Sequence, residues 1–377
     1  MIHLNILPIL KKEFRQIRRD RRALGILVFL PAFMLVMVGY ALNFDVKHLS
    51  VAVFDEDRSS LSRELIERIT RSEYLDFTRN VQVREEIDIL LETGEAQIIF
   101  VIPDGFSDGL LSGKESVVQV LIDGSNSNTG AIAQGYVSLS VRDFSNRLAL
   151  SWLERRGKNL EIPVQLEPHL WYNPELKSAK YLVPGLFGLI LMIVTVVSTS
   201  LSIVREKEMG TMEQLKTSPL WSNEIILGKT IPYLLISIVA ATIILVFGWI
   251  LFDVTIKGDI LLFYLAIVVF LLGGLGQGML ISNVAHTQQV AFLMSVFSSL
   301  LPSFLLSGFI FPIKSMPVFL QIISNVIPVK FFLVIVRSII LKGVGFEAVW
   351  EQFLYLAVFG FATIAISTVR LQKELGR

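Results

Sequence analysis

The sequence predicts a polytopic α-helical membrane protein with six transmembrane helices and an α/β domain inserted between the first and the second. The 377-residue chain has 53% hydrophobic residues and a mean hydropathy of +0.62. Soluble domains average roughly 45–50% apolar residues, and here the excess lies in runs of about 20 residues, the length that crosses a bilayer. The first two runs are separated by a long acidic segment, residues 43–177, which has 22 acidic and 14 basic residues.

The N-terminal segment, residues 1–22, predicts an amphipathic helix in the membrane interface. It carries seven Lys or Arg residues, and its apolar residues recur at helical spacing. An anchor that only obeys the positive-inside rule is the alternative. The run at 23–42 is too long for a signal-peptide core and no A-x-A site follows it, so it predicts a retained first span. The predicted apolar face consists of Leu7, Leu10, Phe14 and Ile17.

The acidic segment, residues 43–177, predicts a separate domain of about 135 residues, within the usual size of one domain. Strand patterns alternate with helix patterns, which is typical of a sheet built from βαβ units. Asn126 or Ser127 is expected to cap the last and longest helix. The strands are predicted at 49–55, 96–103 and 116–123, and the helices at 61–70, 83–94 and about 127–156.

The C-terminal part, residues 178–377, predicts five more spans. Basic residues gather at one set of span ends, so the positive-inside rule places both termini in the cytoplasm and the acidic domain outside. Residues 312–345 are apolar but interrupted by prolines and basic residues, which predicts short re-entrant helices on the outer side. A seventh span at 326–342 is the alternative, and it would move the C-terminus outside. The five spans are predicted near 181–204, 230–252, 260–282, 289–311 and 351–369.

The sequence predicts no catalytic, metal or cofactor site. The four histidines are scattered without zinc spacing, and there are no cysteines. Two Gly-Lys pairs, at 113–114 and 228–229, suggest a phosphate-binding loop, but the required earlier glycine is replaced by Asp108 and Asn223. We therefore expect no Walker A loop. No basic domain indicates a nucleic-acid partner.

The apolar centres of the five later spans contain no acidic or basic residue. Ion-coupled carriers usually keep such groups there, so this pattern argues against a self-powered pump, although an ion path lined by carbonyl groups stays open. Gly274, Gln277 and Gly278 are the main small or polar residues in these spans. They either line a pathway or allow close helix packing, and packing is the more frequent use of small residues.

The polar stretch 205–228 separates the second and third spans. Its Gly210-Thr211 pair is expected to end one helix and begin another, with Thr211 as the N-cap and Gln214 as its reciprocal partner. Pro219 would then end the short helix, and Ser222 could cap the next span. A short helix lying across the membrane face suits a docking role, and a solvated loop is the alternative.

This stretch, REKEMGTMEQLKTSPLWSNEIILGKTIP, resembles the signature loop of ATP-binding-cassette (ABC) type-2 transporter permeases. Residues 307–343 resemble their C-terminal segment, and the order of spans and outer domain resembles the bacterial multidrug-exporter-like branch. The resemblance implies a multi-pass permease of the bacterial inner membrane that works as a dimer with a second copy or a paralogue. It implies separate cytoplasmic ATPase subunits that bind the ATP, and an outer domain that meets a periplasmic adaptor protein or gates the exit.

The resemblance also implies two coupling elements. The segment 205–222 is similar to the coupling helix, and residues 1–22 are similar to the connecting helix. The coupling residues would be Arg205, Glu206, Glu208, Gly210, Thr211, Glu213, Gln214 and Leu215, and the connecting-helix residues Phe14, Arg15, Arg18 and Arg19. The implied function is the outward transport of a hydrophobic or amphipathic, drug-like substrate. A sodium- or ion-extruding ABC permease and a non-transporting membrane sensor or anchor are the alternatives.

Overall fold

The computed structural model describes residues 6–41, 48–71, 74–155, 171–173, 177–212 and 222–374. The chain divides into two compact units. One unit combines Met1–Asn43 with His169–Arg377, and the other is Phe44–Pro168. The inserted unit therefore begins next to the predicted boundary at 43 and ends before the predicted boundary at 177.

The first unit is a helical bundle. Five of its described helices are long and apolar enough to cross a membrane, or six if one bent pair counts as a single span, and Leu27–Ala41 is a shorter apolar stretch. This architecture fits the predicted polytopic helical membrane protein. The helices are α1 (Ile6–Arg19), α2 (Arg21–Ala41), α7 (Ser178–Glu208), α8 (Ser222–Phe252), α9 (Ile260–Val284), α10 (Gln288–Leu306), α11 (Val318–Ser324), α12 (Pro328–Arg337) and α13 (Trp350–Glu374).

Helix α7 lies at the centre of the bundle and packs against α2, α8, α9, α10 and α12. Small residues allow these close contacts, because a Cβ added at Gly278 of α9 would lie 2.7 Å from the carbonyl oxygen of Val196 on α7. The core also contains aromatic stacking, with the rings of Phe270 and Phe332 3.9 Å apart between centroids. Helices α8, α10 and α13 instead leave many large apolar side chains exposed, as lipid-facing helices do.

The segment after α10 is irregular, as predicted. Helix α10 ends at Leu306, before the predicted 311, because Gly308 takes a left-handed conformation at φ +78°. Helices α11 and α12 are bent by 80° relative to each other. The continuous helical run Pro328–Lys342 is about 22 Å long at 1.5 Å per residue, which is short for a bilayer core of about 30 Å. This geometry favours a re-entrant segment over a seventh span.

The side chain of Arg337 contacts the residues at the start of this irregular segment. The guanidinium of Arg337 lies 3.7 Å above the ring of Tyr181 and donates to its hydroxyl at 3.0 Å. It also donates to the carbonyl oxygen of Gly308 at 3.2 Å and of Phe309 at 3.4 Å. Arg337 thereby pairs two backbone carbonyl groups that follow the end of α10.

The second unit is an α/β domain with a four-stranded sheet in the order β2-β1-β3-β4. Strand β1 is parallel to β2 and β3, and β4 is antiparallel to β3. Both faces of the sheet carry an apolar cluster, so the central strands are buried on both sides. The elements are β1 (Leu49–Asp55), α3 (Ser60–Thr70), β2 (Leu75–Asn80), α4 (Glu86–Glu92), β3 (Ile98–Ile102), α5 (Phe106–Leu111), β4 (Gln119–Ile122) and α6 (Ser127–Arg155).

Side-chain caps fix the starts of two of its helices. The hydroxyl of Ser59 accepts from the backbone N–H of Ser62 at 3.0 Å, and Asn126 accepts from the N–H of Thr129 at 3.2 Å. Asn126, one of the two residues expected to cap the last helix, thus caps α6. Strand β2 and helix α5 were absent from the sequence prediction, and α4 is shorter than the predicted 83–94.

Candidate functional site

The predicted coupling segment 205–222 is described at 205–212 and at Ser222, and its first four residues form the last turn of α7. Helix α7 continues past the predicted end at 204 to Glu208, and Gly210, with φ +70°, turns the chain afterwards. No glycine or proline lies between Val204 and Gly210, and Arg205 and Lys207 are favourable in the last turn because the helix dipole is negative there. Thr211 and Met212 are helical again, and α8 already begins at Ser222. Glu213, Gln214 and Leu215 lie outside the described residues.

Glu206 is at the centre of a buried cluster of four charged side chains, Lys12, Glu13, Glu206 and Lys229. Lys12 donates to one carboxylate oxygen of Glu206, and Lys229 donates to the other. Both lysine Nζ atoms lie 3.5 Å from Oε1 of Glu13. The two acids and Lys229 are at most 5% exposed, whereas the side chain of Lys12 is 47% exposed. One buried and one half-exposed lysine therefore balance two buried carboxylates.

Helix α1 enters this cluster through a face that the apolar pattern did not predict. The residues buried against the bundle are Ile9, Glu13 and Ile17, while Leu7 is 54% and Phe14 is 41% exposed. Contact with α8 is close, because a Cβ added at Gly228 would lie 2.7 Å from Cγ2 of Ile9. Of the predicted apolar face, Leu7, Leu10, Phe14 and Ile17, only Ile17 is buried against the bundle, so the packing face is a second face of α1. An acid can lie on this packing face because Lys229 of α8 neutralises it.

Ionic pairing compensates for the burial of these groups. Transferring a single charge from water to the interior costs several kcal/mol unless it is paired and hydrogen-bonded. Burial lowers the pKa of Lys12, but the hydrogen bond and charge of Glu206, together with Glu13, outweigh burial and hold this pKa above its ordinary value. Lys12 is therefore charged at neutral pH. The cluster fastens α1, α7 and α8 to one another at one end of the bundle.

Two further links connect the last turns of α7 to neighbouring elements. Arg205 donates to Asp20, which separates α1 from α2, and to the side chain of Gln288, both at 3.2 Å. Glu208 accepts from the backbone N–H of Gln288 at 3.3 Å and also from its side-chain amide. A carboxylate at the N-terminus of α10 is favoured by the helix dipole. The hydroxyl of Thr211 donates to the carbonyl oxygen of Glu206 at 3.2 Å and closes the end of α7.

The small and polar residues of α9 lie in helix contacts. A Cβ at Gly274 would be 3.2 Å from Cγ2 of Thr195, and Gly278 packs even more closely on α7. Gln277 donates to the carbonyl oxygen of Ser298 at 3.3 Å and to its hydroxyl at 3.2 Å, which joins α9 to α10. These contacts favour the packing interpretation.

The basic residues of the connecting helix have a different environment. Arg15, Arg18 and Arg19 are exposed, and so is Lys11. None of these four side chains forms an ion pair with another described residue.

Sequence reasoning missed three members of the buried cluster as site residues, namely Lys12, Glu13 and Lys229. The available signals were weak. Glu13 is one of only two acids in residues 1–22, and Lys229 stands where the apolar run of α8 begins. Both features suggest a charged residue that needs a partner, but neither identifies the partner.

Comparison with known proteins extends over nearly the whole chain. A family model described as ABC-2 family transporter protein matches residues 22–369. The chain is 32% identical over 369 residues to the probable multidrug ABC transporter permease YbhR of Escherichia coli (strain K12), covering 97% of this chain and 98% of that protein. It is 32% identical over 365 residues to the probable multidrug ABC transporter permease YbhS of the same strain, which covers 97% of this chain and 96% of that protein. The inner membrane transport permease YhhJ is 28% identical over 381 residues, covering 100% and 99%.

Proposed function

Because the chain belongs to the ABC-2 transporter family, as a membrane-spanning permease subunit of an ABC transporter, we propose that it exports a hydrophobic or amphipathic, drug-like compound across the bacterial inner membrane. Two relatives at 32% identity are described as probable multidrug ABC transporter permeases, which supports this substrate class. The spans without charged centres suit a substrate of low polarity.

The energy for export comes from ATP bound and hydrolysed by separate cytoplasmic ATPase subunits. The observation that carries the proposed coupling is the buried cluster of Lys12, Glu13, Glu206 and Lys229. Glu206 belongs to the proposed docking element, the segment 205–222, and Lys229 follows this segment in α8. A movement of the ATPase against this segment is passed to three helices together, because strong ionic contacts bind their ends.

The proposed movement also reaches helices beyond α1, α7 and α8. Arg205 joins α7 to the junction of α1 and α2, and Glu208 joins α7 to the N-terminus of α10. We propose that this end of the bundle faces the cytoplasm together with both termini, and that the α/β domain lies outside, where a periplasmic adaptor would meet it. A second permease copy or a paralogue completes the transporter.

The coupling role is tested at Gly210, whose φ of +70° disfavours any residue with a side chain. Gly210→Pro cannot keep this conformation, since proline fixes φ near −65°. We expect the variant to insert normally but to lose substrate-stimulated ATPase activity and transport in proteoliposomes that contain the permease and its ATPase. Gly345→Ala is the matched control, because Gly345 has φ −84° and nothing within 4 Å of an added Cβ.

Normal transport by well-inserted Gly210→Pro protein would contradict the coupling role. Stimulation by sodium instead of by apolar compounds would identify an ion-extruding permease. Failure of the permease to retain any ATPase on purification would favour a sensor or anchor.

A further inference from the structure

We propose that the exposed face of α1 is a binding site for the headgroup phosphate of acidic phospholipids. This face contains a cationic sector and an apolar sector next to each other. The cationic sector consists of Lys11, Arg15, Arg18 and Arg19, and the apolar sector of Leu7 and Phe14. The proposal goes beyond the export function, since it assigns a lipid ligand to cations that form no ion pair with a described residue.

The local geometry provides a place for a phosphate. A surface groove of about 370 Å³ is lined by Leu7, Pro8, Lys11, Lys12 and Arg15. The four basic residues of the cationic sector are exposed and form no ion pair with any other residue that the structure describes. Among the described residues, their charge therefore has no anionic partner. A phosphate diester is the anion that the inner surface of a membrane supplies at highest density.

The connection to α2 places this face at the membrane surface. A single residue, Asp20, separates the end of α1 from the start of α2, so α1 cannot lie far from the first apolar run. Leu7 and Phe14 would be costly to expose to water, and acyl chains at the level of the headgroups can cover them. A free inorganic anion would pair with the cations but leave these two side chains uncovered. The presence of cationic and apolar side chains on one face thus favours a lipid ligand over a small anion.

Lys12 connects the lipid site with the buried cluster. Its side chain is 47% exposed and lines the groove, while its Nζ atom donates to Glu206. A phosphate bound in the groove therefore competes with Glu206 for the same ammonium group. Acidic lipid is expected to loosen the attachment of α1 to α7.

The test measures lipid binding to the purified full-length permease by native mass spectrometry. The protein is titrated with phosphatidylglycerol or with phosphatidylcholine, and the test variant is Arg15→Gln/Arg19→Gln. Each cation near an anionic surface contributes about fivefold to binding, so the variant should bind phosphatidylglycerol about 25-fold more weakly. Binding of phosphatidylcholine should not change. The matched control is Arg370→Gln/Lys373→Gln, which removes two exposed cations from the last turns of α13 and should keep the parental affinity.

Three outcomes would overturn the proposal. An equal loss of phosphatidylglycerol binding in both double variants would mean that total charge matters and that α1 is no site. Displacement of phosphatidylglycerol by millimolar inorganic phosphate would identify a small-anion site. Unchanged lipid binding together with lost ATPase binding in Arg15→Gln/Arg19→Gln would assign the face to the protein partner. All these residues are exposed, so elution as a single symmetrical peak is expected for every variant.

Discussion

Replacing Lys229 by methionine should strongly destabilise the helical unit. The ammonium group of Lys229 pairs with both acids of the buried cluster, Glu206 and Glu13, and only 5% of the residue is exposed. Methionine has a similar length but no charge, so the variant leaves two buried carboxylates with a single lysine, Lys12. An uncompensated negative charge then remains in the core.

The magnitude follows from the geometry. Two unit charges 3.5 Å apart, the separation of Lys229 and Glu13, attract by about 5 kcal/mol at an effective dielectric constant of about 20. Breaking a buried pair by removing one partner costs about 3–5 kcal/mol, since part of the attraction is offset by desolvation in the parent. We therefore expect Lys229→Met to lower the free energy of unfolding by about 3–5 kcal/mol. This corresponds to a change of more than about 100-fold in the unfolding equilibrium.

The assay is a double-mutant cycle in detergent, read by the loss of tertiary structure on titration with denaturant. The parent is compared with Lys229→Met, Glu206→Gln and the double variant. The double variant leaves Lys12 with Glu13 as one balanced pair, so it should be destabilised by clearly less than the sum of the single variants. Lys314→Met changes an exposed lysine and should stay within about 0.5 kcal/mol of the parent. A loss below about 1 kcal/mol for Lys229→Met, or strict additivity in the cycle, would refute the reasoning.

Three further substitutions test other parts of the fold. Arg337→Lys loses the planar group that stacks on Tyr181 and donates to two carbonyl groups. The variant should therefore have a free energy of unfolding about 1–3 kcal/mol lower than the parent. A thermal stability equal to that of the parent would contradict this role of Arg337. Gly278→Ala should cost about 1–3 kcal/mol in the same assay because its Cβ would overlap backbone 2.7 Å away. Gly25→Ala in α2 meets nothing within 4 Å and should not destabilise, because alanine is the better helix former. Burial raises the pKa of Asp57, but hydrogen bonds from Ser59 and Ser107 together outweigh burial and lower this pKa. The ionised carboxylate therefore stabilises the α/β domain above the unfolded pKa of about 3.9, and this stabilisation is lost as the pH falls below that value. Asp57→Asn should thus make the unfolding of this domain less dependent on pH in acid. An unchanged pH dependence would disprove the role of Asp57.

The sequence predicted those elements whose pattern is local. The spans could be read from apolar runs, and strands β1 and β3 from short apolar runs buried on both faces. Strand β2 could not, because five of its six residues are exposed and no alternation marks it. Helix α5 has only six residues, too few for a helical period to show.

The candidate site was predicted in part for the same reason. Gly210 and the acidic and basic residues around it are visible as a local motif, but the motif suggested a surface segment. Glu206 is in fact buried, since its partner Lys12 comes from a helix 194 residues earlier in the chain. Lys229 lies 23 residues later. No periodicity or spacing links residues so far apart, so only the packing of α1 against α8 reveals the cluster.

The balanced charge of the cluster restricts how this protein can be recombined with its relatives. Helix α1 supplies one cation and one anion, and the remaining pair comes from α7 and α8. A chimera that receives α1 from another permease keeps neutrality only if the donor helix also has a basic residue followed directly by an acidic one at positions 12 and 13. Junctions for domain exchange are therefore better placed after α8 than between α1 and α2, even though the latter site looks like a natural boundary.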